Sequence, residues 1–225
     1  MSVKYSLQDA WPESWFDPGC RRCPRLAGFL DEVRSAHPEY HAAPVPPFGD
    51  QAAGLLIVGL APGMHGANRT GRPFTGDHAG ILLYESLYRL GLASRSSSVA
   101  REDGLELFGC RITNAVKCLP PANKPTPAEV RTCQRWLAAE LGDSRPRVVL
   151  ALGRIAHDGV LDALGLRRAG YRFAHGAEHE LPGQPLLIDS YHCSRYNTQT
   201  RRLTEEMFME VLTRAARRAG AGSKP

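Results

Sequence analysis

The chain has 225 residues, of which 43% are hydrophobic and 23% charged, a size and balance that suit one globular domain with a sizeable core. Mean hydropathy is -0.30, no apolar run approaches a membrane-spanning helix, and Met1 to Ala10 lack the apolar stretch of a secretory signal, so a soluble cytoplasmic protein is expected. Lys and Arg total 28 against 23 for Asp and Glu, a modest +5 that permits a polyanionic partner without requiring one.

Residues 1–54 read as an irregular segment rich in Pro and aromatics, with Cys20 and Cys23 inside it and a short helix from about Arg25 to Ala36. His41 to Asp50 carries Pro44, Pro46 and Pro47 and is not expected to form regular structure, because proline fixes φ and removes donors. Leu55 to Leu60 is a short apolar run of the kind found in buried strands. A Gly-rich loop, Ala61 to Asp77, leads into a helix carrying Ile81, Leu82, Tyr84, Leu87, Tyr88 and Leu90 at helical spacing, and Gly91 ends it. A second strand covers about Phe108–Val116. Thr126, Pro127 and Glu129 form a capping box that starts a helix running to Gly142. Arg147–Leu152 is a third strand, followed by a helix to about Leu164, and Pro185–Ser190 is a fourth. The last helix starts near Thr204 and buries Met207, Phe208, Val211 and Leu212.

Apolar strands alternating with helices predict a single domain over residues 1–225, a three-layer α/β/α arrangement around a central four-stranded parallel sheet. Ligands of such sheets bind where the strands end, which directs attention to the loops after Leu60, Val116, Leu152 and Ser190. The first, second and fourth hold the unusual residues.

Six cysteines without a secretory signal point to metal or redox chemistry rather than disulfides. Cys20, Cys23, Cys118 and Cys133 could meet in the fold, and four thiolates suit a zinc ion or an iron–sulfur cluster; otherwise Cys118 and Cys133 are buried apolar residues, as Cys110 is read. The Gly59 to Asp77 loop is neither a phosphate-binding Walker loop nor a dinucleotide fingerprint, yet its glycines let backbone approach a ligand closely. Phe74, between Pro73 and Thr75, is a stacking platform or a loop anchor. Asp77 is a helix N-cap or a carboxylate over the site. The Asn114 amide matches a pyrimidine edge or satisfies local backbone. His192 follows the fourth strand at once and is the histidine best placed for chemistry, whereas His37, His41 and His175 read as solvated loop residues. Arg69, Arg72, Lys117, Lys124, Arg195, Arg201 and Arg202 gather in the same loops and could hold phosphate.

Taken together, the segments Gly59–Gly63, Gly71–Asp77, Asn114–Pro121 and His192–Thr200 resemble, in order and spacing, the motifs of the uracil-DNA glycosylases. The match is closest to family 5, the B type; family 4 carries an acidic residue where this chain has Leu60. The resemblance implies hydrolysis of the N-glycosidic bond of uracil in DNA, with hypoxanthine and other deaminated bases as further substrates. It implies a structural [4Fe–4S] cluster on Cys20, Cys23, Cys118 and Cys133. By the same resemblance, flipped uracil stacks on Phe74, Asn114 reads its edge and backbone near Gly63 holds a carbonyl. Asp77 then stabilises the cationic sugar and places water, and His192 stabilises the departing base. Arg69, Arg72, Lys117, Arg195 and Tyr196 contact DNA, with Arg195 or Tyr196 as the wedge. A monomer is expected of an enzyme that must embrace DNA. The main rival is a non-catalytic nucleic-acid-binding protein stapled by the four-cysteine site. A small-nucleotide hydrolase would carry clustered carboxylates for Mg²⁺, which the strand-end loops lack.

Overall fold

The computed structural model describes residues 11–221, so the Met1 to Ala10 reading lies outside the described residues. In chain order the elements are α1 (Pro24–Ala36), β1 (Phe48–Gly49), β2 (Leu55–Gly59), α2 (Ala67–Thr70) and α3 (His78–Arg89). Then come β3 (Cys110–Asn114), α4 (Pro127–Ser144), β4 (Val148–Leu152), α5 (Arg154–Ala163) and β5 (Glu178–His179). The chain closes with β6 (Leu186–Ser190), α6 (Arg195–Gln199) and α7 (Glu205–Ala219).

Side chains alternate across a strand, and both faces of the central strands are apolar. Leu55, Ile57, Ile112, Val148, Leu150 and Ile188 face α3 and α7, meeting Leu83, Tyr84, Leu87, Phe208, Val211 and Leu212. Leu56, Val58, Val149, Ala151 and Leu187 face α4 and α5, meeting Leu137, Leu141, Ala156, Val160 and Leu161. The result is the expected three-layer α/β/α architecture. The strand order is β1-β3-β2-β4-β6-β5, with β3, β2, β4 and β6 parallel as anticipated.

Two short strands extend that sheet to six. β5 pairs antiparallel with β6, and β1 pairs antiparallel with β3 through Phe48–Ile112 and Gly49–Arg111. β1 lies in the segment whose prolines argued against regular structure. Pro46 and Pro47 stop short of it, and an edge position needs donors from only one side. Gly49 is required there at φ 121, since a Cβ would lie 2.5 Å from Cys110 O. Helix α4 runs past Gly142 to Ser144, where Arg145 adopts the left-handed conformation that closes it, and the capping box at Thr126 is present with both bonds made. Met207 is only half-buried, whereas the other three expected core residues of α7 are enclosed. His41 is also more enclosed than a solvated loop residue, with Nε2 3.0 Å from Pro44 O and its ring against Gly71.

A third apolar cluster joins α1 to the rest: Leu26, Leu30 and Val33 pack with Val116, Leu119, Cys133 and Trp136. The irregular N-terminal region is thereby anchored on the β3 exit and α4. Among the described residues, no helix is long and apolar enough to cross a membrane.

Candidate active site and four-cysteine centre

Parallel register sets Gly59 beside Asn114 at the ends of β2 and β3, and Leu152 beside Ser190 at the ends of β4 and β6. His192 follows two residues after Ser190, so Asn114 and His192 emerge at the same edge of the sheet. A cavity of about 420 Å³ opens there, lined by Leu60, Gly63, Phe74, Asp77, Asn114 and His192 among others. Three segments distant in sequence thus converge as the topology predicts.

The space is kept open by glycine. A Cβ at Gly59 would collide with Asn114 Oδ1 and lie 2.6 Å from Phe74 Cζ. Phe74 itself is buried at a positive φ of 53°, an unusual conformation for an aromatic residue, and its ring stacks on His192 at 5.8 Å and 28°. The Asn197 side-chain amide donates to His192 O at 2.8 Å, tying α6 to the histidine loop.

Asn114 Oδ1 and His192 Nδ1 are two of several buried polar atoms without a hydrogen-bond partner among the described residues, and they are the two whose residues line this cavity. Buried polar atoms are nearly always paired, so a ligand able to meet both is the physical expectation of the site. Burial drives the His192 pKa down to about 4, so the ring is neutral at physiological pH. Asp77 caps α3 by accepting from Gly80 N at 2.9 Å, and its other oxygen lies over Gly66, where any Cβ would collide with it. Burial also raises the Asp77 pKa, despite the bonds from Gly80 and Ala79 that oppose the shift. The cap and the site carboxylate are therefore one residue, not alternatives.

His78, Asn123 and Ser194 line the cavity without having been singled out in the sequence. His78 bonds Thr198 Oγ1 through Nε2 at 2.9 Å. Asn123 and its neighbour Ala122 both adopt positive φ in the turn after Pro120 and Pro121. That double proline was the one available signal.

Of the expected DNA contacts, Arg69, Arg195 and Tyr196 are exposed, Tyr196 at 70%. Arg72 and Lys117 are not. Arg72 is 4% exposed, paired with Asp103 at 2.7 Å, bonded to Ser98 Oγ and Arg101 O, and stacked over Phe48. Lys117 is 2% exposed; its Nζ bonds Thr113 and lies 3.4 Å from Glu140, which also pairs with buried Arg111 at 2.8 Å. Both cations are consumed by internal carboxylates, so neither reaches DNA. Lys117→Met is accordingly expected to leave duplex affinity within about twofold of wild type while lowering stability by roughly 1–3 kcal/mol, since Glu140 loses part of its compensation. Anisotropy titration and thermal melting of the same preparation check both halves.

Cys20, Cys23, Cys118 and Cys133 line one small cavity with Val116 and Trp136, on the anchored N-terminal lobe. Burial pushes the Cys118 thiol up, and the charges of Cys133, Cys20 and Cys23 raise it further; Cys133 is pushed up to about 11. Burial and neighbouring thiols thus raise Cys23, Cys118 and Cys133 together, and a cationic group in this cavity would favour their thiolates. The Lys117 N–H already donates to Cys133 Sγ at 3.2 Å. Among the described residues, the only three potential ligands with donor atoms mutually within 4.8 Å are His157, His179 and Asp189, so no three of the four sulfurs are that close. A tetrahedral zinc would draw its thiolates to about 3.8 Å apart. Cys110 is a core residue as read, its Sγ 3.6 Å from Leu92 O.

The model of the uracil DNA glycosylase superfamily matches residues 46–216, most of the chain and all of the sheet. The chain belongs to that superfamily. It is 53% identical over 207 residues to the type-5 uracil-DNA glycosylase of Thermus thermophilus, covering 89% of this chain and 94% of that protein. The type-5 uracil-DNA glycosylase of Pyrobaculum aerophilum is 44% identical over 93% of the chain and 96% of its own length. A type-4 uracil-DNA glycosylase of Archaeoglobus fulgidus is 34% identical over 74% of the chain. The type-5 resemblance of the motifs therefore extends to nearly the whole of this glycosylase-family chain.

Proposed function

We propose that this chain hydrolyses the N-glycosidic bond of uracil in DNA and leaves an abasic site. Beyond family membership, the observation that carries the reading is that Asn114 and His192, whose Oδ1 and Nδ1 are buried without a partner, line one cavity together with Asp77. A base inside the duplex is out of reach, so the nucleotide is extruded, at a cost of a few kcal/mol that is least at a mismatch. The uracil N3–H then meets Asn114 Oδ1, Phe74 provides an apolar wall and backbone near Gly63 holds a carbonyl. As the bond breaks, the sugar gains positive charge and the base negative. Asp77 stabilises the sugar and orients the attacking water; neutral His192 donates to O2 of the leaving base. Hypoxanthine and other deaminated bases are further substrates under the same mechanism. Arg69 and Arg195 hold phosphates, and Arg195 or Tyr196 fills the gap left by extrusion.

The spacing of the four sulfurs supports a [4Fe–4S] cluster over a tetrahedral zinc at Cys20, Cys23, Cys118 and Cys133. Its contribution is structural: it ties α1 to the β3 exit and α4, away from the bond that breaks. The protein is read as one domain over residues 1–225, acting as a cytoplasmic monomer.

The test is a duplex with one U opposite G, incubated with protein purified without oxygen and then treated with alkali. Cleavage only after alkali, from a brown preparation holding iron and sulfide, is expected. Intact duplex despite measurable binding overturns the glycosylase reading in favour of a binding module. A colourless, zinc-loaded active protein overturns the cluster alone.

A further inference from the structure

Beside the base cavity lies a second, of about 660 Å³, and Asp77, Asn123 and Arg195 line both. Asp77, at the junction, is the one acidic residue on the second cavity's wall. The other polar side chains there, among them His65, Ser96, Ser97 and Arg195, can all donate hydrogen bonds. Such a wall accepts an anion.

His65 is held in place rather than merely exposed. Its Nδ1 is 2.8 Å from Tyr40 Oη, and Tyr40 stacks on His37 at 4.5 Å and 17°. The His65 ring stands edge-on to both, at 6.0 Å from Tyr40 and 6.3 Å from His37, each at 89°. Tyr40 in turn packs on the apolar cluster that carries the four cysteines. The His65 carbonyl accepts from Arg69 Nε at 2.7 Å, which fixes the backbone of the same turn. A phenol that donates to Nδ1 leaves the ring proton on Nε2; a protonated ring donates from both nitrogens. With the phenol as the donor, Nε2–H is left as a donor with no hydrogen-bond partner among the described residues.

We propose that this second cavity takes the sugar–phosphate backbone adjoining the extruded nucleotide, with His65 as a phosphate donor positioned by Tyr40 and His37. The inference rests on the reading of the chain as an enzyme acting on DNA. If Asp77 stands beside the deoxyribose, that sugar's own phosphates leave the base cavity alongside Asp77, and the donor-lined space there is the second cavity. A pre-positioned ring loses little freedom on binding, which is how a small contact gains affinity. The four-cysteine lobe thereby becomes part of the DNA-binding surface, through Tyr40, and not only a brace for the fold.

The experiment measures binding of a labelled duplex carrying 2′-deoxy-2′-fluorouridine opposite G, over a range of salt, and single-turnover excision on the corresponding uracil duplex. His65→Ala is expected to weaken binding about fivefold to twentyfold across the salt range, as the loss of one positioned phosphate donor does. Its excision rate at saturating DNA should stay within about twofold of wild type, a split that a merely structural role would not produce. Tyr40→Phe keeps the stacked ring and removes the tether, and should weaken binding less. Unchanged affinity in His65→Ala, with wild-type excision intact, overturns this contact and spares the glycosylase reading. Wild-type protein that binds without excising, while His65→Ala binds more weakly, overturns the glycosylase reading and leaves the contact standing.

Discussion

Asp77→Asn is expected to lower single-turnover excision of uracil by about a thousandfold, the middle of the range for removal of a group that handles protons or water at a reacting centre. Asn is chosen because it caps a helix as well as Asp does, so the bond to Gly80 N and the start of α3 survive. Ala would remove cap and charge together, and its loss of about 1 kcal/mol of stability would blur the result. The pH dependence follows from the raised Asp77 pKa. The group works as a carboxylate, so activity is full above its folded pKa and falls as pH drops through it, with the limb above the ordinary carboxylate range. The stability sign is the opposite of that of a salt-bridged acid. Burial disfavours the charged form, so holding Asp77 ionised costs stability at neutral pH and Asp77→Asn should melt at or above the wild-type temperature. A near-wild-type rate in Asp77→Asn, or an acid limb at the usual carboxylate pKa, would remove Asp77 from the reaction.

The four central strands, α3, α4 and α7 were legible in the sequence because each carries its own periodicity or cap. β1, β5 and α6 were not. The two strands are pairs of residues whose only reason to be extended is a neighbour distant in the chain, and α6 is a single turn begun by the Ser194 cap. At the site, Asp77, Asn114 and His192 stood out because they interrupt apolar runs at strand ends or open a helix. Arg72 and Lys117 misled for the same reason: a cation in a strand-end loop looks available until its counter-ion is known. Asp103 and Glu140 lie 31 and 23 residues further along the chain, so the pairing has no local pattern. His65 escaped notice because its significance lies in Tyr40 and His37, which belong to another segment.

His192→Gln is the second large effect, with an expected loss of about a hundredfold or more in excision rate, the magnitude seen when one donor to a developing anion is removed. The loss should fall on the rate at saturating DNA and not on affinity, because the departing base carries its charge only as the bond breaks. Gln retains an N–H and part of the volume, so His192→Ala should be slower still and somewhat less stable, having also lost the ring stacked on Phe74. A ring with a pKa near 4 stays neutral throughout the working range, so the wild-type rate should show no inflection near 6.5. Stability carries the complementary signal. The unfolded chain takes up a proton on this histidine near pH 6.5 and the folded chain only near 4, so the contribution is complete above 6.5 and is lost as pH falls between those values. His41 and His175 are shifted in the same direction, chiefly by burial, so the His192 share is the difference between wild type and His192→Gln in acid unfolding. Identical acid unfolding in the two proteins would mean that the ring is not held neutral. A rate inflection near 6.5 that disappears in His192→Gln would show that the imidazolium, not the neutral ring, meets the leaving base.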